Sequence, residues 1–236
     1  VRRWKEQHPE GVVVSYINTS AAVKAEVDYC CTSSNGIEVI EAIPEEKEIL
    51  FVPDFYLGTY LKIKTGRKIH LWKGYCPAHV AIDPEGVNQL QEENPDAEFL
   101  MHPECGCLTK QMDLADKILS TDGMIKYVKE SQANRFIVAT ENGILYRMRK
   151  ENPEKTFLPA SEHAGCVHMQ RNTLEKVLRS LTTLQYPVTV DPEMAQRALV
   201  PLKRMMDISR QASPDQSLKD EADIFAEQWD DPILRV

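Results

Sequence analysis

The feature that most constrains this chain is a long internal period. VVVSYIN opens a first series of signals: a buried-strand pattern ending at Tyr16 and Asn18, a helix-like segment around Lys24, and the turn Cys31-Thr32-Ser33-Ser34-Asn35-Gly36 leading into a helix. The strand EILFVPD, a Gly58 turn with a helix, the short strand IHLW and Gly74-Tyr75-Cys76 complete it. The second series repeats that order. EFLMHPE is followed by a helix containing Met112, Leu114 and Ala115, then Ser120-Thr121-Asp122-Gly123 and a helix. RFIVATE, Gly143 with a short helix, KTFLPA and Ala164-Gly165-Cys166 close the copy. Tyr16 aligns with His102 and Asn18 with Glu104 at an offset of 86, and Cys76 with Cys166 at 90. A period this long exceeds that of solenoid repeats and predicts a duplicated α/β domain. The near-continuous Val/Ile/Leu/Phe strands predict parallel sheets covered on both faces.

After Cys166 the pattern predicts a helix over about 173–184, a strand-like YPVTVD, and a helix opened by Asp191-Pro192. Pro201 is expected to end or kink that helix near Val200. The polar, acidic stretch that follows reads as a surface helix or loose tail outside the functional core. The expected domains are 1–84 and 85–168, with a returning segment at 169–207 and a tail at 208–236.

Charge and cysteines limit the function classes. Lys and Arg number 28 against 36 Asp and Glu, a net charge of −8, which argues against a nucleic-acid backbone as main partner. No apolar run approaches the roughly 18–20 residues that span a bilayer, so no membrane partner is expected. No charged-then-apolar leader precedes the first strand, and a cytoplasmic setting with reduced thiols is expected. The six cysteines are Cys30, Cys31, Cys76, Cys105, Cys107 and Cys166, with no CxxC pair. The chain opens on Val1-Arg2-Arg3-Trp4, without Met and inside a helix-like run, which reads as a fragment.

In open parallel sheets ligands collect beyond the carboxyl ends of strands. The polar residues there include Tyr16, Asn18, Ser33, Asp54, Cys76, His79, His102, Glu104, Ser120, Thr121, Thr140, Glu141 and Cys166. Cys76 and Cys166 sit at equivalent points, with a Gly one or two residues before each. A lone Cys is often a small core hydrophobe, but two at matching repeat ends suggest metal ligands. A [4Fe–4S] cluster needs three or four thiolates, so a third must come from Cys105 or Cys107, from Cys30 or Cys31, or, the favoured source, from a further domain copy outside this chain. His102-Pro103-Glu104 places an imidazole and a carboxylate on one side of a strand end. They are suited to acid–base work or to a plain surface His–Glu hydrogen bond. Ser120 and Thr121, like Thr32 to Asn35, form an N-cap signature that also suits an anion. GxGxxG and Walker A patterns are absent.

YINTSAAVKAEVDYCCTSSN, FVPDFYLG, WKGYCPAHV, MHPEC, LSTDGM, FIVATENGILYRM, the AGC at Cys166 and RALVPLKRMM together resemble the quinolinate synthase family over about residues 11–207. The resemblance implies three-layer αβα domains with short parallel sheets, two of a pseudo-threefold set of three. It implies condensation of iminoaspartate with dihydroxyacetone phosphate to quinolinate in NAD biosynthesis, with an L-aspartate-oxidising enzyme as supplier of iminoaspartate. It further implies a [4Fe–4S] cluster held by one cysteine per domain, Cys76 and Cys166 resembling two of the three. The third cysteine, and a first-domain His-Tyr motif with a Ser, have no match here, so the chain alone is expected to be inactive.

By the same resemblance, Tyr16 and Asn18 bind substrate with Ser33 near its phosphate or carboxylates, and Tyr16 joins His79, His102 and Glu104 in catalysis. His102 and Glu104 also contact substrate, and Ser120 with Thr121 form an anion-binding pair. Cys105 and Cys107 match no cluster position and stand as bystanders or a redox-sensitive pair. The competing reading is a non-catalytic iron–sulfur, metal or sugar-phosphate-binding module.

Overall fold

The computed structural model describes residues 1–212. Eight strands form two four-stranded sheets: β1 (Val12–Tyr16), β2 (Tyr29–Cys31), β3 (Ile49–Val52) and β4 (Ile69–Leu71) in one, β5 (Glu98–Met101), β6 (Lys117–Ile118), β7 (Arg135–Ala139) and β8 (Thr156–Pro159) in the other. Their orders, β2-β1-β3-β4 and β6-β5-β7-β8, are the same permutation. Registers agree as well: β1 pairs parallel with β3 at Val12↔Ile49, and β5 with β7 at Glu98↔Phe136. The duplication expected from the sequence is therefore a duplication of topology, an α/β three-layer fold in which helices flank each sheet.

In the second sheet strand alternation sorts side chains onto two faces. Phe99, Met101, Ile137 and Ala139 point to one face and pack with Ile82, Val87 and Leu108. Leu100, Phe136 and Val138 point to the other, against Met124, Val128, Leu145 and Met148 from the helices Thr121–Glu130 and Ile144–Glu151. In the first sheet all four residues of β3 are buried, as are Val13 and Val14 of β1. Both faces covered is what continuous apolar strands require.

By contact the chain divides into two compact units: residues 1–52 with 65–70 and the described residues from Gln185 on, and residues 53–64 with 71–184. In the first unit the helix Pro192–Ala212 packs against β2 and the helix Ala21–Lys24, where Arg204 donates to the Asp28 carbonyl at 2.9 Å and covers the Tyr29 ring.

Three expectations are corrected. Pro201 does not end its helix, which runs unbroken for 21 residues; burial of Ala198, Pro201 and Met205 along one face outweighs the one backbone donor that proline lacks. The segment at Met112 is not a regular helix: one turn at Leu108–Gln111 is followed by a 3₁₀ turn at Met112–Leu114. Cys105 and Cys107 are joined as a disulfide, both fully buried. The expected tail lies outside the described residues from position 213 on. Among the described residues no helix is long and apolar enough to cross a membrane.

Candidate functional site

Within the second unit three titratable side chains meet. His102 and Glu104 follow β5, whose last residue aligns with Ala139 of β7, and the His102 amide extends that ladder to the Ala139 carbonyl at 3.0 Å. His79 arrives from the helix Pro77–Val80, whose proline at the first position starts it directly after Cys76. The His79 and His102 rings stack at 4.7 Å between centroids. Glu104 Oε2 lies 3.6 Å from His79 Nδ1 and 3.5 Å from His102 Nδ1, and His79 Nε2 meets the Thr140 hydroxyl at 3.0 Å. The Gly106 amide donates to the His79 carbonyl at 3.1 Å, and a Cβ on Gly106 would sit 2.9 Å from the Val80 backbone. Only a glycine lets these two segments come so close.

All three groups are under one-tenth exposed, and burial controls their protonation. Loss of water pushes the Glu104 carboxyl up to about 8, with the Asp54 charge adding to the rise. Desolvation likewise drives both imidazoles well below the usual histidine range; Glu141 partly offsets this at His79, and the neighbouring His79 deepens it at His102. Near neutrality the group therefore consists of a protonated carboxyl and two neutral imidazoles, a set able both to give and to take a proton. His79 Nδ1 has no hydrogen-bond partner although it is shut off from solvent, so a polar ligand would find a ready acceptor or donor there. The three can also offer a cation one ligand atom each, all within 4.8 Å of one another. The surface His–Glu pairing that the sequence allowed is replaced by a buried site.

The cysteines sort cleanly. Cys30 and Cys31 are buried in β2, and burial pushes the Cys30 thiol up to about 11. Cys105 and Cys107 are bonded to each other. Cys76 and Cys166 remain as free, half-buried thiols. Each has its amide held by a carboxylate: Cys76 donates to Asp54 Oδ2 at 3.2 Å and Cys166 to Glu141 Oε1 at 3.0 Å. As donors the pair fits two corners of a three-cysteine cluster, and the described residues contain no further free, accessible thiol.

Other residues singled out from the sequence fall as follows. Ser120 caps the helix Thr121–Glu130 by accepting from the Gly123 amide at 3.2 Å, with Thr121 exposed beside it. Tyr16, half-buried, ends β1; Asn18 is exposed in the following loop; Ser33 lies in the turn after β2. These last three belong to the first unit, and the residues grouped with His102 to the second. The Asn35 side chain turns back to the Thr32 amide at 2.6 Å and does not cap the next helix. His163 and His168, which flank Cys166, are both exposed.

Lys24 escaped sequence reasoning. Its ammonium binds the Ile17 carbonyl at 2.7 Å and the Thr19 carbonyl at 2.5 Å, pinning the loop that carries Asn18; a lysine at the end of the short helix Ala21–Lys24 gives no local signal of this. A second grouping, His8, Glu48 and His70, is half-exposed, and its carboxylate is already bound by Lys68 at 2.7 Å and His8 at 2.6 Å.

Comparison with known proteins bears on all of this. The family model of the quinolinate synthetase A protein matches residues 1–207. A quinolinate synthase of Pyrobaculum aerophilum is 48% identical over 215 residues, covering 89% of this chain and 70% of that protein. One from Thermus thermophilus is 46% identical, covering 88% and 68%, and one from a Geobacter species 46%, covering 89% and 68%. A match of this extent and identity places the chain in a family: it belongs to the quinolinate synthases.

Proposed function

We propose that this chain carries the acid–base half of a quinolinate synthase site, condensing iminoaspartate with dihydroxyacetone phosphate beside a [4Fe–4S] cluster that Cys76 and Cys166 hold in part. The observation that carries the reading is the buried group of His79, His102 and Glu104, with His79 three residues after Cys76. Making a pyridine ring from these substrates requires two dehydrations and loss of phosphate. Each dehydration needs a proton delivered to a departing hydroxyl and one withdrawn from carbon or nitrogen. A Glu104 carboxyl that keeps its proton near neutrality suits the first task. The neutral imidazoles of His79 and His102 suit the second, with Thr140 fixing the orientation of the His79 ring.

Substrate anions call for separate donors. Ser120 accepts from Gly123, a bond that does not use its hydroxyl proton, at the N-terminus of a ten-residue helix, a favourable place for phosphate or carboxylate. Thr121 adds a second hydroxyl. Tyr16, Asn18 and Ser33 are assigned to substrate by family resemblance. A bound cluster supplies a Lewis-acidic iron that polarises a hydroxyl or carboxylate oxygen.

The test is anaerobic loading with ferrous iron and sulfide. Cys76→Ser and Cys166→Ser should each lower bound iron and the brown absorbance; iron content unchanged in the double variant overturns the cluster. In a chain extended upstream to supply a third cysteine, His102→Ala or Glu104→Gln should cut turnover by about 10²–10⁴-fold while sparing that absorbance.

A further inference from the structure

The two free thiols share a construction that nothing in their side chains explains. In each sheet the third strand is followed, two residues on, by an acid: Asp54 after β3 and Glu141 after β7. One carboxylate oxygen takes an amide at the start of the next helix, Leu57 to Asp54 Oδ1 and Gly143 to Glu141 Oε2, both at 2.8 Å. The other takes the cysteine amide, at 3.2 Å for Cys76 and 3.0 Å for Cys166. The residue after each acid then completes the link. Phe55 donates to the Gly74 carbonyl at 2.8 Å, and Asn142 to the Ala164 carbonyl at 2.9 Å. In both copies, therefore, the acid grips the cysteine while its successor grips the residue two before it.

The recurrence is one of geometry and not of residue identity. Asp stands in one copy and Glu in the other; Gly74 corresponds to Ala164 and Phe55 to Asn142. At Gly74 an added Cβ would strike the Pro53 carbonyl, so this crossing is as tight as the backbone allows. A carboxylate has two acceptor oxygens in one plane and can bridge amides from two chain segments, which a hydroxyl or a single carbonyl cannot do as rigidly. A negative charge is a poor neighbour for a thiolate, which points to geometry as its use.

We propose that Asp54 and Glu141 are positioning residues that lock the main chain of Cys76 and Cys166, presenting the two thiols in the fixed orientation a shared iron–sulfur cluster requires. The role in iron binding rests on the function proposed above; the lock itself does not.

The test uses Asp54→Ala and Glu141→Ala, with Asp54→Asn and Glu141→Gln, which each keep one acceptor. In the metal-free chain, amide hydrogen exchange followed by NMR should accelerate at least about tenfold at Cys76 in Asp54→Ala, the loss expected for one amide bond to a charged acceptor. Cys166 should stay within about twofold of wild type, and Glu141→Ala should give the mirror image, with Asn and Gln restoring part of the protection. General loosening would move both amides together, and that result, or no change at either, overturns the lock. After loading with ferrous iron and sulfide, each Ala variant should release iron to a chelator at least about tenfold faster than wild type; equal release rates overturn the role in iron binding. The loading uses a chain extended upstream to supply a third cysteine; if that chain takes up no iron, the cluster reading falls, while the amide pattern still decides the lock.

Discussion

Substituting Glu104 by Gln tests the protonation of the site without any ligand. Burial lifts the Glu104 carboxyl to about 8 from an ordinary 4.5. The native chain thus keeps a proton through a range in which the unfolded chain has released it. Stability from this group is full below pH 4.5 and is lost as the pH rises through 8, at about 1.4 kcal/mol per unit while only the unfolded state is ionised. Integrated from pH 6.5 to 8.5, the loss is about 2 kcal/mol. That window isolates Glu104. Asp54, raised to about 6 by burial, has mostly ionised by its lower edge. His79 and His102, depressed by burial, lose stability only as pH falls from 6.5 toward their folded values. The thiols of Cys30 and Cys76 are raised from 9 and act above it. Urea unfolding followed by far-ultraviolet circular dichroism should show wild type losing about 2 kcal/mol across the window, and Glu104→Gln should lose almost none. A flat wild-type profile, or a Gln variant with the same slope, would show that Glu104 is ionised at neutral pH and cannot serve as the proton donor.

Thr140→Val removes the partner of a buried imidazole and should cost about 1–3 kcal/mol in urea unfolding, with Thr140→Ser close to wild type; an unaffected Val variant would mean that His79 is held by packing alone. Two glycines should respond in opposite directions: Gly74→Ala forces a Cβ onto the Pro53 carbonyl and should cost at least ~2 kcal/mol. Gly86→Ala, in the helix Pro84–Glu93 with nothing closer than 3.9 Å, should add about 0.4–1 kcal/mol. Leu174, Val177, Leu178 and Leu181 form an exposed apolar stripe on the helix Leu174–Thr183. Leu178→Glu with Leu181→Glu should therefore shift stability in urea unfolding by no more than about 0.5 kcal/mol; a loss of several kcal/mol would show that the stripe is packed.

What could be read from the sequence followed from how local the signal was. Parallel strands buried on both faces are written as unbroken runs such as Ile49–Val52 and Phe136–Ala139, so the sheets and their repeat were legible. The pair His102 and Glu104 was legible too, because a strand end fixes which side two alternate residues share. Its burial was not: the lid over it is His79, 23 residues upstream, brought in by a helix start and by the close crossing of Gly106 over Val80. A surface reading and a buried one assign opposite protonation to the same carboxyl, so this missing contact is the one on which the chemistry turns. Pro201 failed as a stop signal for a related reason, since a local rule was outweighed by tertiary burial.

The acids Asp54 and Glu141 show the same limit from another side. Both were visible as polar residues at strand ends, yet a sequence pairs an acid with its neighbours and not with an amide 22 or 25 positions away. The repeat supplies what a single copy lacks. Where two stretches differ in residue type yet close the same pair of backbone bonds, through Phe55 and Gly74 in one copy and Asn142 and Ala164 in the other, coincidence of local turn preference is a poor account. Turn preferences follow residue type, and the types differ. What the copies have in common is a cysteine whose main chain is held still at the mouth of a sheet, and holding a thiol still has a use when an ion or cluster must be met by several thiols at once.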